Sequence, residues 1–266
     1  MKNRILLSLS GTLGGTLLLI LGIWFFGDNI LNLTYTPDEP VTLENEYYTA
    51  EEFQIAVAKY QTLVQDADPS VALITLREDS RTDNKLANAC HAIAHMIGHA
   101  SYARFESFGE AMTYSEVACN NGYVHGLAQS HFTQLSDIEN EVVDTCAAYD
   151  VNTSLGVECR HGVGHGLTLA VQNDVARAIE HCDRFPTEQG RYACYTGAFM
   201  ENFHTNELYH PSKFLNEEDP FGLCRDLDER YHRACDRYAI HYFIRANDND
   251  FAAGLARCET VRPEAR

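Results

Sequence analysis

From Thr49 onward, apolar side chains recur at three- and four-residue intervals. Thr49 and Glu52 have the spacing of a capping box, and Phe53, Ile55, Ala56, Val57 and Tyr60 follow them, so a helix is predicted to begin here. Pro69-Ser70 interrupts that helix and opens another through Val71, Leu73, Ile74 and Leu76. Asp83 or Asn84 is placed to cap a third, which carries Cys90 to His99. No long stretch alternates with period two between turn residues, so the pattern predicts an all-α body.

The N-terminal pattern is different. Lys2 and Arg4 precede an apolar run from Ile5 to Gly27, with no charged residue before Asp28. About 20 apolar residues in a helix match the roughly 30 Å hydrocarbon core of a bilayer. A cleavable signal has a shorter apolar region and small residues at its cleavage site, where this chain has Ile23-Trp24-Phe25-Phe26. Residues 1–27 are therefore expected to be an uncleaved transmembrane signal anchor, with the membrane contacted through 5–27. Basic residues stay on the cytoplasmic side, which puts the rest outside, in a periplasm or on a cell surface. Residues 28–48, with Pro37 and Pro40, read as a tether, and 49–266 as one extracytoplasmic helical-repeat domain.

The cysteines carry the repeat. Cys146, Cys182, Cys224 and Cys258 recur at intervals of 36, 42 and 34, and Cys119, Cys159, Cys194 and Cys235 at 40, 35 and 41. Periods of this size are the signature of stacked supersecondary units. Each unit reads as a short helix ending near its first cysteine, a polar turn, and a longer helix opening at the second. The clearest unit runs from Ala176–Cys182 through a turn to Gln189–Phe203. In an oxidising compartment, such cysteines are expected to form disulfides, 146–159, 182–194 and 224–235, with 90–119 a further pair. Cys258 is left as a free thiol or an intermolecular partner; thiolate–metal sites are the alternative. The architecture expected is a set of disulfide-stapled helical hairpins, a solenoid or closed α/α superhelix, behind one N-terminal transmembrane helix.

Aligned on the second cysteine, the units share a template, Cys-x2-Gly-x2-His-Gly. It is complete at Cys119–Gly126 and Cys159–Gly166; the third unit keeps Gly197 and has Met200-Glu201 in place of His-Gly, and the fourth keeps His241. Glycine inside a helix costs about 1 kcal/mol against alanine, so recurrent glycines call for close approach of a neighbouring helix or a ligand. Upstream, His91, His95 and His99 stand at i, i+4 and i+8, and His161 and His165 repeat the four-residue spacing. Two histidines four apart on a helix are a chelating geometry. Neutral imidazole suits Zn, Cu or Fe. The metal ligands expected are His91, His95, His99, His125, His161 and His165. Glu201 is the candidate catalytic carboxylate, as a ligand or as a general base toward metal-bound water.

Composition narrows the functions. A formal net charge of −18 argues against nucleic acid, whose phosphates demand a basic face, so it is not an expected partner. P-loop, nucleophile-elbow, dinucleotide-turn and haem-attachment motifs are absent, and the sequence names no reaction. Gly122–Gly126 and Gly162–Gly166 resemble the Gly-x-x-His-Gly stretches of lanthionine-synthetase-like α/α toroids, in which a zinc site lies among stacked helical hairpins. The resemblance covers those two stretches alone. The Trp-Cys and Cys-His-Gly zinc motifs of that family are missing, so it implies a geometry and no functional residue. Two readings follow. One is a histidine-bound transition metal on the inner helices, serving binding or catalysis. The other is a cell-surface interaction scaffold, with a protein partner on its concave face, in which the histidines only pack.

Overall fold

The computed structural model describes residues 47–204, 212, 214–216, 218–247 and 249–258. The predicted anchor, and the tether as far as residue 46, lie outside the described residues. Twelve α-helices and no strand occur among them.

Local chemistry sets the helix starts. In α1 (Ala50–Asp66) the capping box is complete: Thr49 Oγ1 accepts from Glu52 N–H at 3.2 Å, and Thr49 N–H donates to Glu52 Oε2 at 2.7 Å. Asp68 caps α2 (Pro69–Asp79), with Pro69 in the first turn where its missing N–H costs nothing. Asp83 caps the 22-residue α3 (Asn84–Phe105). After the short α4 (Phe108–Met112) the chain makes a single 3-10 turn, Cys119–Asn121, and enters α5 (Gly122–Gln134). Then come α6 (Ile138–Asp144), α7 (Ser154–Ala170), α8 (Val175–Cys182), α9 (Glu188–Phe203), α10 (Gly222–Asp226), α11 (Glu229–Ala246) and α12 (Phe251–Cys258).

Four disulfides are present among the described residues: Cys90–Cys119, Cys146–Cys159, Cys182–Cys194 and Cys224–Cys235. All three predicted short-loop pairs and the fourth, less obvious pair therefore form. Intramolecular disulfides in this number belong to an oxidising, extracytoplasmic environment. One detail differs from the sequence reading. The long helices α7 and α11 do not open at their second cysteine, and α9 opens at Glu188, one residue before the Gln189 read from the sequence. All three begin at the residue after an N-cap, Thr153, Thr187 or Asp228, more than a turn before the second cysteine. Cap chemistry fixes the start, because the cap oxygen satisfies an N–H that the first turn leaves orphaned. The cysteines thus fall inside the helix, where Cys159, Cys194 and Cys235 are fully buried.

The long helices pack in chain order, α3 against α5, α5 against α7, α7 against α9 and α9 against α11, while α1 and α2 cover α3. Glycines make the contacts close. A Cβ on Gly126 of α5 would collide with the carbonyl oxygen of His95 on α3. One on Gly197 of α9 would collide with that of His161 on α7, and one on Gly164 of α7 with that of Cys194 on α9. The recurrent glycines are therefore helix-contact positions, and each lets one backbone touch the next. The consequence for function is direct: histidines on α3, α5 and α7 reach one another in the interior.

Candidate metal centre

Five imidazoles converge where α3, α5 and α7 meet. His95 and His161 are each 8% exposed, His165 2% and His125 1%, while His91 is half-buried. On α3, the four-residue spacing stacks His91 above His95, with their Nε2 atoms 3.1 Å apart. On α7, His161 and His165 repeat this, with Nε2 atoms 3.3 Å apart. His125 of α5 lies between the pairs, its Nδ1 3.3 Å from His95 Nε2 and its ring 4.1 Å from that of His165.

The outer nitrogens explain the inner ones. His91 Nδ1 lies 2.8 Å from the Cys119 carbonyl, which can only accept, so the proton is on Nδ1. His95 Nδ1 is 3.1 Å from Gln129 Oε1, and the same Gln129 donates through Nε2 to Glu201 Oε2 at 3.2 Å. His165 Nδ1 donates to Glu201 Oε2 at 2.5 Å. His161 Nδ1 donates to Thr196 Oγ1 at 2.9 Å, whose own hydroxyl is committed to the Ala193 carbonyl. All four rings are thereby fixed in the tautomer that turns a bare Nε2 lone pair inward. Carbonyl and carboxylate partners on the far nitrogen are the usual way a protein orients a metal-binding histidine and raises its basicity.

Lone pairs facing each other at 3.1 and 3.3 Å repel unless a cation sits between them. A proton is disfavoured: burial, then the neighbouring imidazoles, push His125 and His161 well below the ordinary imidazole range. A metal ion fits. Two imidazole nitrogens bound at about 2.0–2.1 Å to one tetrahedral ion stand roughly 3.3–3.4 Å apart, and somewhat less at a right angle. Three-residue groups able to hold an ion are His91–His95–His125 and His125–His161–His165.

The two groups are not equally prepared. In the first, the three rings are inclined by 67°, 70° and 79° to one another, so their planes can meet at one point. In the second, His125 and His165 are stacked with only 15° between planes. Rings stacked face to face cannot both direct an in-plane lone pair at an ion about 2 Å away.

The remaining sequence candidates lie close by. His99 is two helical turns beyond His91, and at 100° per residue that drift carries it about 80° around α3. Its Nδ1 pairs with Ser130 Oγ at 2.6 Å, outside both groups. Glu201, 3% exposed, stands behind His165 and accepts the hydrogen bond from its Nδ1–H. Sequence reasoning missed the outer partners Gln129, Thr196 and the Cys119 carbonyl. Gln129 had a readable signal, a polar residue four positions after His125 and so on the same helix face. The Cys119 carbonyl had none. It is aimed by three consecutive left-handed residues, Cys119, Asn120 and Asn121, with φ of 49°, 51° and 59°. Asparagine accepts that conformation readily, and cysteine does so at a cost.

Fold and site together define a disulfide-bonded, all-helical domain with a buried histidine cluster able to hold a metal ion. No family model matches the chain, and comparison with curated proteins and with solved structures finds no match.

Proposed function

We propose that this protein binds a transition metal ion through His91, His95 and His125, on the inner helices of an extracytoplasmic array of disulfide-stapled helical hairpins. The observation that carries the reading is the protonation pattern: outer acceptors hold the Nδ1 protons, so that Nε2 lone pairs converge at chelating distance. Three protein nitrogens leave coordination positions for a further ligand, the arrangement of a site that binds or transforms a small molecule. Glu201 supports it from behind, holding His165 and, through Gln129, His95. The long helices that carry the site follow one another in chain order, which supports a superhelix with the histidines on its inner face. Anchoring by residues 5–27 rests on the apolar run in the sequence, and the outward location is supported by the disulfides.

The test is elemental analysis of the full chain, made without a polyhistidine tag in an oxidising compartment and dialysed exhaustively. A transition metal retained in stoichiometric amount, or taken up on reconstitution, is expected. His95→Gln should lose it while keeping the helical circular dichroism of the parent. A chain that neither carries nor takes up any transition metal would sink the reading and leave the histidines as packing in an interaction scaffold.

A further inference from the structure

The histidine pair on α7 repeats the chelating geometry of the pair on α3. The i, i+4 spacing is the same, both Nδ1 protons are committed to acceptors, and the Nε2 atoms stand 3.3 Å apart, against 3.1 Å on α3. One ion cannot satisfy both pairs with the rings as they stand. The stacking of His125 on His165 puts their planes nearly parallel, so an ion centred on the α3 group lies off the plane of the α7 ring. The α7 lone pairs therefore call for a cation of their own. A second observation points the same way: His161 and His165, with His125 beside them, form a separate buried group, each offering a ring nitrogen within 4.8 Å of the others. With Nδ1 of His125 serving the α3 group, the proton of that ring is on Nε2, so the α7 ion takes its protein nitrogens from His161 and His165 alone.

We infer that the centre is dinuclear: a second transition metal ion is chelated by His161 and His165 through Nε2, next to the ion held by His91, His95 and His125. The inference rests on the proposed metal-binding function and extends it from one ion to two. Solvent or an oxygen donor shared with the first ion completes the second ion's shell. The ring centroids of His125 and His161 are 5.0 Å apart and those of His95 and His165 5.9 Å apart, so the two seats adjoin. The Glu201 carboxylate behind His165 contributes negative charge on the side where the second positive ion arrives.

The experiment is titration of the metal-free full chain with Cu(II), followed by elemental analysis after gel filtration and by electron paramagnetic resonance. Two equivalents per chain, with a signal lost or split by coupling between neighbouring ions, are expected. The double variant His161→Gln/His165→Gln should then hold one equivalent, with an uncoupled Cu(II) signal that also reports an intact first site. One equivalent in the parent chain, unchanged in the double variant, would overturn the second ion and leave the one-ion reading standing. One equivalent abolished equally by His91→Gln and by the double variant would overturn it too, since a single ion would then be shared by both pairs. No bound copper, and none of Zn(II) or Co(II) either, would remove the metal function beneath it.

Discussion

The α3 half and the α7 half of the histidine cluster begin from the same element and end in different surroundings. Each offers two imidazoles four residues apart, turned inward by acceptors on their far sides. On α3 those acceptors are a backbone carbonyl and a neutral amide, Cys119 and Gln129; on α7 they are a hydroxyl and a carboxylate, Thr196 and Glu201. His91 is half-buried, whereas both α7 rings are buried. The α3 half also depends on a disulfide and a left-handed turn immediately beside it, while the α7 half depends on a neighbouring helix. Spacing along a helix thus makes the chelating pair, and the second layer decides how basic, how exposed and how rigid it is. The halves are joined, because Gln129 accepts from His95 and donates to Glu201, which holds His165.

The largest effects are expected at the glycines that seat each half. Gly126→Ala drives a methyl group into the carbonyl of His95, and Gly197→Ala into that of His161. Backbone cannot yield as a flexible side chain can, so each variant should lose about 3 kcal/mol or more, at or above the usual range for overpacking. Urea unfolding measures it. Gly109→Ala is the control: nothing lies within 4 Å of its added Cβ, and replacement of a helical glycine there should be neutral or stabilising by up to about 1 kcal/mol. Equal stability for all three would show that the helices have room to part.

Next in size is the disulfide beside α3. Cys146, Cys159, Cys182, Cys194, Cys224 and Cys235 are fully buried, whereas Cys90 is 9% exposed and Cys119 only partly buried. A mild dithiol should therefore reduce Cys90–Cys119 first, as mass spectrometry of alkylated cysteines can read. Opening a loop of 29 residues should cost about 3–4 kcal/mol in the chain-entropy model. Because the Cys119 carbonyl orients His91, metal affinity of the α3 half should fall with it. Preferential reduction of one of the other three bridges would break the asymmetry between the halves.

Glu201→Gln tests the α7 half. The amide keeps the shape and removes the charge, so metal affinity at His165 should fall about 10- to 100-fold, the usual loss for an outer-layer partner. Competition with a chelator of known affinity gives the number. An unchanged affinity would mean that the carboxylate does not tune the ring. Acid probes the buried imidazoles of the metal-free chain. Burial holds His125, His161 and His204 below their ordinary range, His204 down to about 3, so the unfolded chain binds protons first. Stability should be full above about pH 6.5 and should fall as pH drops below it. A flat stability profile between pH 7 and 4 would contradict this.

How far the sequence could be read follows from the range of each interaction. Cap residues and Pro69 act within one turn, which is why the starts of α1, α2 and α3 were legible to a residue or two. The disulfide pairs closing 11 to 13 residues were legible from repeat spacing, since short loops bring their ends together at little entropic cost. Histidine pairs four apart were legible because helix geometry alone makes them neighbours. Gln129, Thr196 and the Cys119 carbonyl were not. Each meets its histidine across a helix–helix contact 28 to 35 residues away in sequence, and only packing sets that register. The same limit applies to His99, where a face shared on paper over two turns drifts out of the cluster.

The smallest effect is the one expected at His99, and it separates chelation from mere proximity. His99 belongs to the same helix and the same four-residue series as His91 and His95, but its Nδ1 is held by Ser130 Oγ, away from the convergent nitrogens. Ser130→Ala should therefore change stability by about 1 kcal/mol or less, the worth of one partly exposed hydrogen bond, and leave metal affinity within twofold of the parent. Thr196→Val makes the matching change at His161, where the lost acceptor should release the ring and lower affinity. The contrast is informative because both variants remove one hydroxyl from one histidine. If they weakened metal binding equally, the ligand set would have to reach along α3 past His95, and the five-ring cluster would be too narrow a description of the site.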